Sequence, residues 1–186
     1  YIQRMSKSGS IVTVIGPMFS GKTTEVIRLS KLKARMGKKC VIIRHSDDIR
    51  YGVENITNHD GDVFNGHIVV LGKKVQAADV VMCKTIADVD MNKYDVLVID
   101  EVGYLPFSRD GASLLFQLIN MRYEKKSTLI TTNIPLSQWS EFLQDKKLTN
   151  ALLDRLVHHS KVISITGKSY RMKDYSEKKT KTPKSK

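Results

Sequence analysis

The sequence is poor in cysteine and has no long hydrophobic run. Its two cysteines, Cys40 and Cys83, lack C-x-x-C spacing, which argues against a zinc ribbon and a disulfide framework and predicts two buried thiols. No apolar stretch approaches the roughly 20 residues that a membrane-spanning helix requires. We also recognise no charged-then-apolar leader, and we therefore expect a cytoplasmic protein without a membrane partner.

Positive charge is in excess. The chain has 31 Lys and Arg against 19 Asp and Glu, a formal net charge of +12. Such an excess favours an anionic partner, such as DNA bound through a basic surface. Part of it lies in residues 173–186, which we predict to be a disordered basic tail. The tail could bind DNA, or it could be a solvated end that keeps the chain soluble.

The length of 186 residues predicts one compact domain. We place it at residues 11–172, after an N-terminal extension at 1–10. Short β-rich runs alternate with segments of helical period, which predicts an α/β protein with a mostly parallel sheet. Gly37 is expected to end the first helix. Strands are expected at 40–43 and 68–71, a long connection at 45–66, and a short helix within 75–88.

The most specific motif follows the apolar run at residues 11–15 and precedes a helix-like segment. It fits G-x-x-x-x-G-K-[ST] with the residues Gly16, Pro17, Met18, Phe19, Ser20, Gly21, Lys22 and Thr23. In such a loop the backbone N–H groups hold the phosphates of ATP, Lys22 reaches the β/γ oxygens, and Thr23 ligates Mg²⁺. We include the next residue, Thr24, in the binding segment. The alternative is an ordinary glycine-containing turn between a strand and a helix.

A second candidate element is the acidic pair Asp100 and Glu101 after an apolar strand at 95–99. Ligands of an open parallel sheet lie beyond the carboxyl ends of its strands, where the loop and these acids would meet. Asp100 can hold Mg²⁺ or its water, and Glu101 can polarise the attacking nucleophile. The alternative is two solvated acids at a strand end. The sequence therefore predicts the α/β fold of a P-loop NTPase, a three-layer sandwich around a mostly parallel sheet.

Two later residues are open to two interpretations each. Asn133 follows a strand at 128–132 and would lie beside the γ-phosphate if that strand neighbours the one carrying Asp100; otherwise it is a turn residue before Ile134. Arg155 could stabilise charge during phosphoryl transfer or be a surface arginine on a helix.

The front of the chain, about residues 11–99, resembles type II thymidine kinases. The loop motif with Met18 and Phe19 inside it carries this resemblance, together with segments 48–52 and 58–61. The resemblance implies that Glu101 is the base toward a nucleoside 5′-hydroxyl and that Arg50 lies near the phosphates.

From about residue 94 to 174 the chain resembles the IstB/DnaC-like AAA+ ATPases that assist transposition and helicase loading. Segments 98–107, 111–119, 131–135, 152–160 and 167–171 carry this resemblance. It implies that Asn133 is a sensor residue and that Arg155 is an arginine finger acting on ATP in a neighbouring subunit of a homo-oligomer.

The change from one resemblance to the other falls at the Asp100–Glu101 pair, so the chain has a kinase-like half at 11–99 and an IstB-like half at 100–172. The kinase-like half lacks a Gln-Phe after its Glu, a nucleoside-binding lasso and a four-cysteine zinc ribbon. Three functions follow: a DNA-associated ATPase hydrolysing ATP with Mg²⁺, which we favour, a thymidine kinase, and a nucleotide-binding fold with little turnover. The third arises because a misplacement of about 1 Å costs on the order of 10²-fold in rate.

Overall fold

A computed structural model describes residues 9–45, 67–71, 80–83, 90–103, 107–158 and 160–166. Within these ranges the chain forms seven strands and four helices. The strands are β1 (Ile11–Ile15), β2 (Cys40–His45), β3 (His67–Leu71), β4 (Val80–Cys83), β5 (Val96–Val102), β6 (Ser127–Thr132) and β7 (Ser160–Ser164). The helices are α1 (Lys22–Arg35), α2 (Arg109–Arg122), α3 (Trp139–Leu143) and α4 (Lys146–His158).

The described strands form one sheet in the order β4-β3-β2-β5-β6-β1-β7, and each pairing between them is parallel. Strands of the two halves are neighbours in this sheet, because β1 of the kinase-like half lies between β6 and β7 of the IstB-like half. The halves therefore share one continuous sheet. Since the strands point the same way, the sheet has a carboxyl edge, where they end, and an amino edge, where they start.

Helices cover both faces of the sheet. Side chains alternate between the faces along each strand, so every strand buries two sets of apolar residues. On one face α1 packs Val26 and Ile27 against β2, β5 and β6. On the other face α2, α3 and α4 pack against the sheet around Trp139, which is fully buried. These layers confirm the predicted α/β P-loop NTPase sandwich.

The predicted short helix within 75–88 was wrong where the structure describes that segment. Residues Val80–Cys83 form β4, which pairs in parallel with β3 from Ile68↔Val80 onward. Two adjacent valines favour an extended backbone, and β3 offers a free edge with which they can pair. The partner strand was itself predicted at 68–71, but the pattern within 80–83 does not show that the two segments pair.

The ends of two helices have local causes. Helix α4 begins at Lys146, because the Asp145 carboxylate accepts the Leu148 N–H at 2.9 Å and caps its first turn. Gly37 ends α1 as predicted, with a φ of 72°. Arg50, segments 48–52 and 58–61, most of the 45–66 connection, segment 167–171 and the tail lie outside the described residues.

Candidate nucleotide site

The loop between β1 and α1 is held against the carboxyl edge of the sheet. The Gly16 N–H donates to the carbonyl of Thr132 at 3.1 Å, which ties the start of the loop to the end of β6. A Cβ at Gly16 would lie 2.5 Å from the Ser20 hydroxyl oxygen and 3.0 Å from the Ile165 carbonyl. No larger residue fits there, so glycine is required by close packing within the loop.

The second half of the loop adopts left-handed backbone conformations. Phe19 has a φ of 62° and Gly21 a φ of 93°. Glycine takes this conformation freely, whereas a left-handed phenylalanine costs about 1–2 kcal/mol. The Gly21 carbonyl accepts the Glu25 N–H at 3.0 Å and closes the first turn of α1. The loop therefore aims the positive end of α1 at its own interior, as anion binding requires.

Lys22 brings a buried positive charge into the loop. It is only 7% exposed, and its Nζ donates to the Pro17 carbonyl at 2.8 Å. A lysine turned back over the loop in this way lies where phosphate oxygens would be held by the same loop. Thr23 follows it in the first turn of α1 and is partly exposed, so its hydroxyl lies at the same end of the helix.

The acidic pair sits in a bulge of β5. Ile99 pairs with Ile130 and Val102 with Thr132, so Asp100 and Glu101 together face the single residue Thr131. Glu101 has a φ of 53°, a strained conformation for a residue with a side chain. The bulge directs these two acids away from the regular ladder at the carboxyl edge.

Thr131 holds both acidic residues. Its hydroxyl donates to Asp100 Oδ1 at 2.5 Å and accepts the backbone N–H of Glu101 at 2.7 Å. Thr131 is fully buried, so its hydroxyl has little access to water and stays with these partners. The sequence interpretation did not select this residue. A threonine at the end of a buried strand, just before Asn133, is the local pattern that could have indicated it.

Arg44 is a second residue that the sequence interpretation missed. It is 4% exposed and follows Ile43, which pairs with Ile99, so Arg44 lies beside Asp100 at the carboxyl edge. Alternation along the strands puts Arg44 and Asp100 on the face that α1 covers, because Ile42 and the strand partners near it pack on α1. An arginine directly after the apolar run at 41–43 is the local pattern that could have indicated it.

Asn133 lies between the two motifs. It directly follows β6, which separates β1 from β5, so the condition set by the sequence is met: its strand neighbours the strand of Asp100. Asn133 is exposed. The hydroxyl of Thr132, the residue before it, accepts the N–H of Ile134, the residue after it, at 3.1 Å, so Asn133 lies in a tight turn. The structure thus places Asn133 at the carboxyl edge, while its role in chemistry stays a prediction.

Arg155 lies away from the loop of its own chain. Its Nε donates to Asn120 Oδ1 at 3.0 Å, its Nη1 donates to the Ala151 carbonyl at 2.7 Å, and its guanidinium carbon is 4.9 Å from the Phe116 ring centre. Asn120 is near the end of α2, which runs from the carboxyl edge back toward the amino edge. Arg155 is therefore not brought to the phosphate loop within one chain.

Neither a metal cluster nor a membrane span is found in the described part of the chain. No group of three or more His, Cys, Asp and Glu residues lies together there. None of the described helices is long and apolar enough to cross a membrane.

Comparison with protein families identifies one family that matches most of the chain. The model of the IstB-like ATP-binding protein family matches residues 5–178. The chain belongs to the IstB-like ATP-binding protein family. The match begins well before residue 94, where the sequence resemblance to this family starts, so it includes the kinase-like front half.

Relatives of this IstB-like chain come from both predicted groups. It is 58% identical over 86 residues to the insertion sequence IS232 putative ATP-binding protein of Bacillus thuringiensis subsp. berliner, which is 46% of this chain and 34% of the relative. It is 41% identical over 114 residues to the thymidine kinase of Acanthamoeba polyphaga mimivirus, 59% of this chain and 50% of the kinase. The predicted double resemblance is confirmed. The chain spans about a third of the length of the insertion-sequence relatives that it matches.

Solved structures resemble the IstB-like chain in fold. DnaI is similar with a TM-score of 0.51 at 16% identity, covering 86% of this chain and 72% of DnaI. The DnaC helicase loader is similar with a TM-score of 0.50 at 16% identity, covering 87% and 80%. At this identity the likeness supports the architecture alone.

Proposed function

We propose that this chain is a DNA-associated ATPase that hydrolyses ATP with Mg²⁺. The observation that carries the proposal is the position of β6 between β1 and β5. Neighbouring strands are about 4.8 Å apart, so the phosphate loop, Asn133 and the acidic pair lie within about 10 Å along one edge. That spacing suits a loop that holds the phosphates, a polar side chain at the γ-phosphate and a carboxylate behind it.

The residues of the carboxyl edge have different proposed roles, which follow from their charges. The loop N–H groups and Lys22 bind the phosphates of ATP, and Thr23 and Asp100 hold Mg²⁺, which neutralises the phosphate charge. Glu101 orients and polarises the attacking water. Thr131 supports both acids through its two hydrogen bonds, since a carboxylate held in place needs no reorganisation during the reaction.

Arg155 fits a role between subunits. It packs on α2 and lies toward the amino edge, so it would reach a phosphate site only on a neighbouring copy. Positive charge on the γ-phosphate stabilises the transition state of phosphoryl transfer. We therefore assign Arg155 as a finger in trans within a homo-oligomer. Activity per subunit should rise with protein concentration, and Arg155→Ala should remove that rise.

The DNA partner is supported by charge and by the relatives. The net charge is +12, and several curated relatives are putative ATP-binding proteins of insertion sequences, which are DNA elements. A positively charged protein binds the phosphate backbone without regard to sequence. We infer that DNA stimulates the ATPase.

Thymidine kinase activity is the second candidate, and the 41% identity to a viral thymidine kinase favours it. The same loop and acidic pair would serve a kinase, with Glu101 acting on a nucleoside hydroxyl. The residues after Glu101 are Val102 and Gly103 instead of Gln-Phe, and two cysteines cannot build a four-cysteine ribbon. The given sequence thus lacks these two features of a kinase acceptor site, which favours water as the acceptor. A fold that binds ATP with little turnover is the remaining alternative.

Glu101→Gln tests the proposed chemistry. The variant should bind ATP as the wild type does, because the amide keeps the size of the side chain, and should release phosphate about 10²-fold more slowly. Fluorescent ATP titration and phosphate release with and without duplex DNA give the two readouts. Glu141→Gln, at an exposed carboxylate of α3, is the matched control. Equal phosphate release by Glu101→Gln and wild type would refute the assigned role.

A further inference from the structure

The amino edge of the sheet carries a cluster of lysines that the nucleotide site does not use. They precede or flank the starts of β2, β5 and β6, three strands that are neighbours in the sheet. We call this surface the basic edge. Its lysines are Lys33, Lys38, Lys39, Lys93, Lys125 and Lys126.

Hydrogen bonds show that these lysines lie together. The Lys39 N–H donates to Asp95 Oδ2 at 2.9 Å, which joins the start of β2 to the start of β5. The Lys126 Nζ donates to the Tyr94 carbonyl at 3.2 Å and joins β6 to the same segment. The Lys33 Nζ lies 3.4 Å from the Ser127 hydroxyl. Three separate connections thus bring their lysines to one place.

The positive charges at this edge affect the carboxylate of Asp95. The hydrogen bond from the Lys39 N–H lowers the pKa of Asp95, and the charges of Lys38, Lys126 and Lys39 lower it further. Among the described residues of these connections the other acids are Asp90 and Glu124, and Asp90 already faces Lys93 at 3.7 Å. Six lysines against three carboxylates leave a positive surface, and four of the lysines are exposed: Lys38, Lys39, Lys93 and Lys125.

A buried arginine fixes the backbone under the basic edge. Arg122 is 3% exposed, and it donates to the carbonyls of Met91, Tyr94, Asp95 and Ser127 at 2.9–3.3 Å. Burial lowers its pKa to about 10, which leaves it protonated at neutral pH. Because the starts of β5 and β6 are tied to one side chain, their lysines keep a fixed spacing.

We propose that the basic edge binds the phosphate backbone of duplex DNA. The starts of three adjacent strands span about 10 Å. A DNA strand carries one phosphate per 3.4 Å of helix axis, so this width faces about three phosphates. A cavity of about 700 Å³ continues the surface beside Lys125 and Lys126. The inference rests on the proposed association with DNA and adds which surface of the protein contacts the DNA.

The position of this surface has a consequence for ATP. The basic edge and the phosphate loop lie at opposite ends of strands of about five residues, so they are about 17 Å apart. DNA on the basic edge would leave the nucleotide site accessible. The inference therefore predicts DNA binding that does not require ATP and does not compete with it.

The test compares triple variants of the full chain with equal charge changes. Lys38→Ala/Lys39→Ala/Lys125→Ala removes exposed charge from the basic edge and keeps Lys33 and Lys126, whose side chains make hydrogen bonds in the fold. Arg109→Ala/Lys146→Ala/Lys147→Ala removes the same charge from exposed helix starts. Lys178→Ala/Lys179→Ala/Lys181→Ala removes it from the C-terminal tail.

Fluorescence anisotropy with a labelled 20-base-pair duplex is measured from low to high salt. The basic-edge variant should bind at least about 10-fold more weakly, and the slope of log affinity against log salt should fall by about two to three, since each phosphate contact contributes about 0.9. The two control variants should stay within about twofold of wild type. Thermal melting and ATP titration of the same samples show that the fold and the nucleotide site are retained.

Several outcomes would overturn the inference. Unchanged affinity and salt slope in the basic-edge variant would do so, as would an equal or larger loss in the helix or tail variant. Met36 is 65% exposed at the end of α1, so vesicles of phosphatidylglycerol and phosphatidylcholine are tested in parallel. Binding to vesicles alone through these lysines would also overturn it. A wild-type chain that binds DNA but not ATP would refute the proposed ATPase and leave this surface supported.

Discussion

Lys22 and Arg122 are two buried cations, one at each edge of the sheet, and they differ in where their hydrogen-bond acceptors lie. Lys22 at the carboxyl edge donates to Pro17, five residues earlier in its own loop. Arg122 at the amino edge donates to acceptors in two separate stretches of chain, 91–95 and 127–128, up to 31 residues away. A cation with local contacts can be changed without loosening the fold, whereas one that joins distant segments supports it. Burial alone therefore does not identify a functional residue.

Replacing Lys22 by Ala should have the largest effect on function. We expect ATP affinity to fall by about 100-fold or more, because a charged group loses its hydrogen bonds to phosphate. The midpoint of unfolding should change little. Titration with fluorescent ATP measures the affinity, and Lys147→Ala is the control at an exposed lysine. Retained ATP binding in Lys22→Ala would contradict the assignment of the phosphate loop.

Replacing Arg122 by Met should lower stability and leave ATP affinity unchanged, which is the opposite of the result expected for Lys22→Ala. Loss of hydrogen bonds to several buried carbonyls should cost about 2–4 kcal/mol of stability. For a chain of this size that is a drop in melting temperature of about 5–15 °C. ATP affinity below the transition should be unchanged. A variant that melts at the temperature of wild type, whether or not it still binds ATP, would contradict this difference between the two edges.

Replacing Thr131 by Val tests whether its hydroxyl positions the acidic pair at the carboxyl edge. The change keeps the shape of the side chain and removes the hydroxyl that holds Asp100 and the Glu101 backbone. We expect phosphate release to slow by about 10-fold, within the range for a displaced catalytic carboxylate. The matched control is Thr149→Val, which removes a buried hydroxyl from α4. Equal effects of the two changes on the rate would show that Thr131 is only structural.

Replacing Asp95 by Asn should have the smallest effect, visible as a change in pH dependence. The pKa of Asp95 is lowered from its ordinary value of 3.8, chiefly by the Lys39 N–H and then by nearby lysines. The carboxylate therefore contributes stability above pH 3.8 that is lost as the pH falls through its lowered pKa. Urea unfolding at pH 7 should show wild type more stable than Asp95→Asn. The difference should shrink as the pH falls below 3.8 and also in high salt. A difference that persists under both conditions would contradict this explanation.

Local motifs made the phosphate loop and the acidic pair predictable. The loop residues and the pair follow apolar strands directly, and the structure places both at the carboxyl edge. The bulge at Asp100 and Glu101, and the support from Thr131, depend on how β5 pairs with β6. That register is set by contacts between distant segments, which periodicity along one segment does not contain.

The same limit explains the other differences. The strand β4 was taken for part of a helix because the pattern within 80–83 does not show its pairing with β3. Arg122 was overlooked because its acceptors come from two stretches of chain, 91–95 and 127–128, that meet only after folding. The contacts of Arg155 with α2 depend on the packing of two helices.

The destination of the γ-phosphate tests the central claim most directly. The full chain is incubated with Mg²⁺, thymidine, duplex DNA and ATP labelled at the γ-phosphate, with Lys22→Ala as the control, and the labelled products are separated. The account predicts label in inorganic phosphate, none in thymidine monophosphate, and neither product with Lys22→Ala. Label in thymidine monophosphate would contradict it, since the carboxyl edge would then serve a nucleoside acceptor and the chain would act as a kinase.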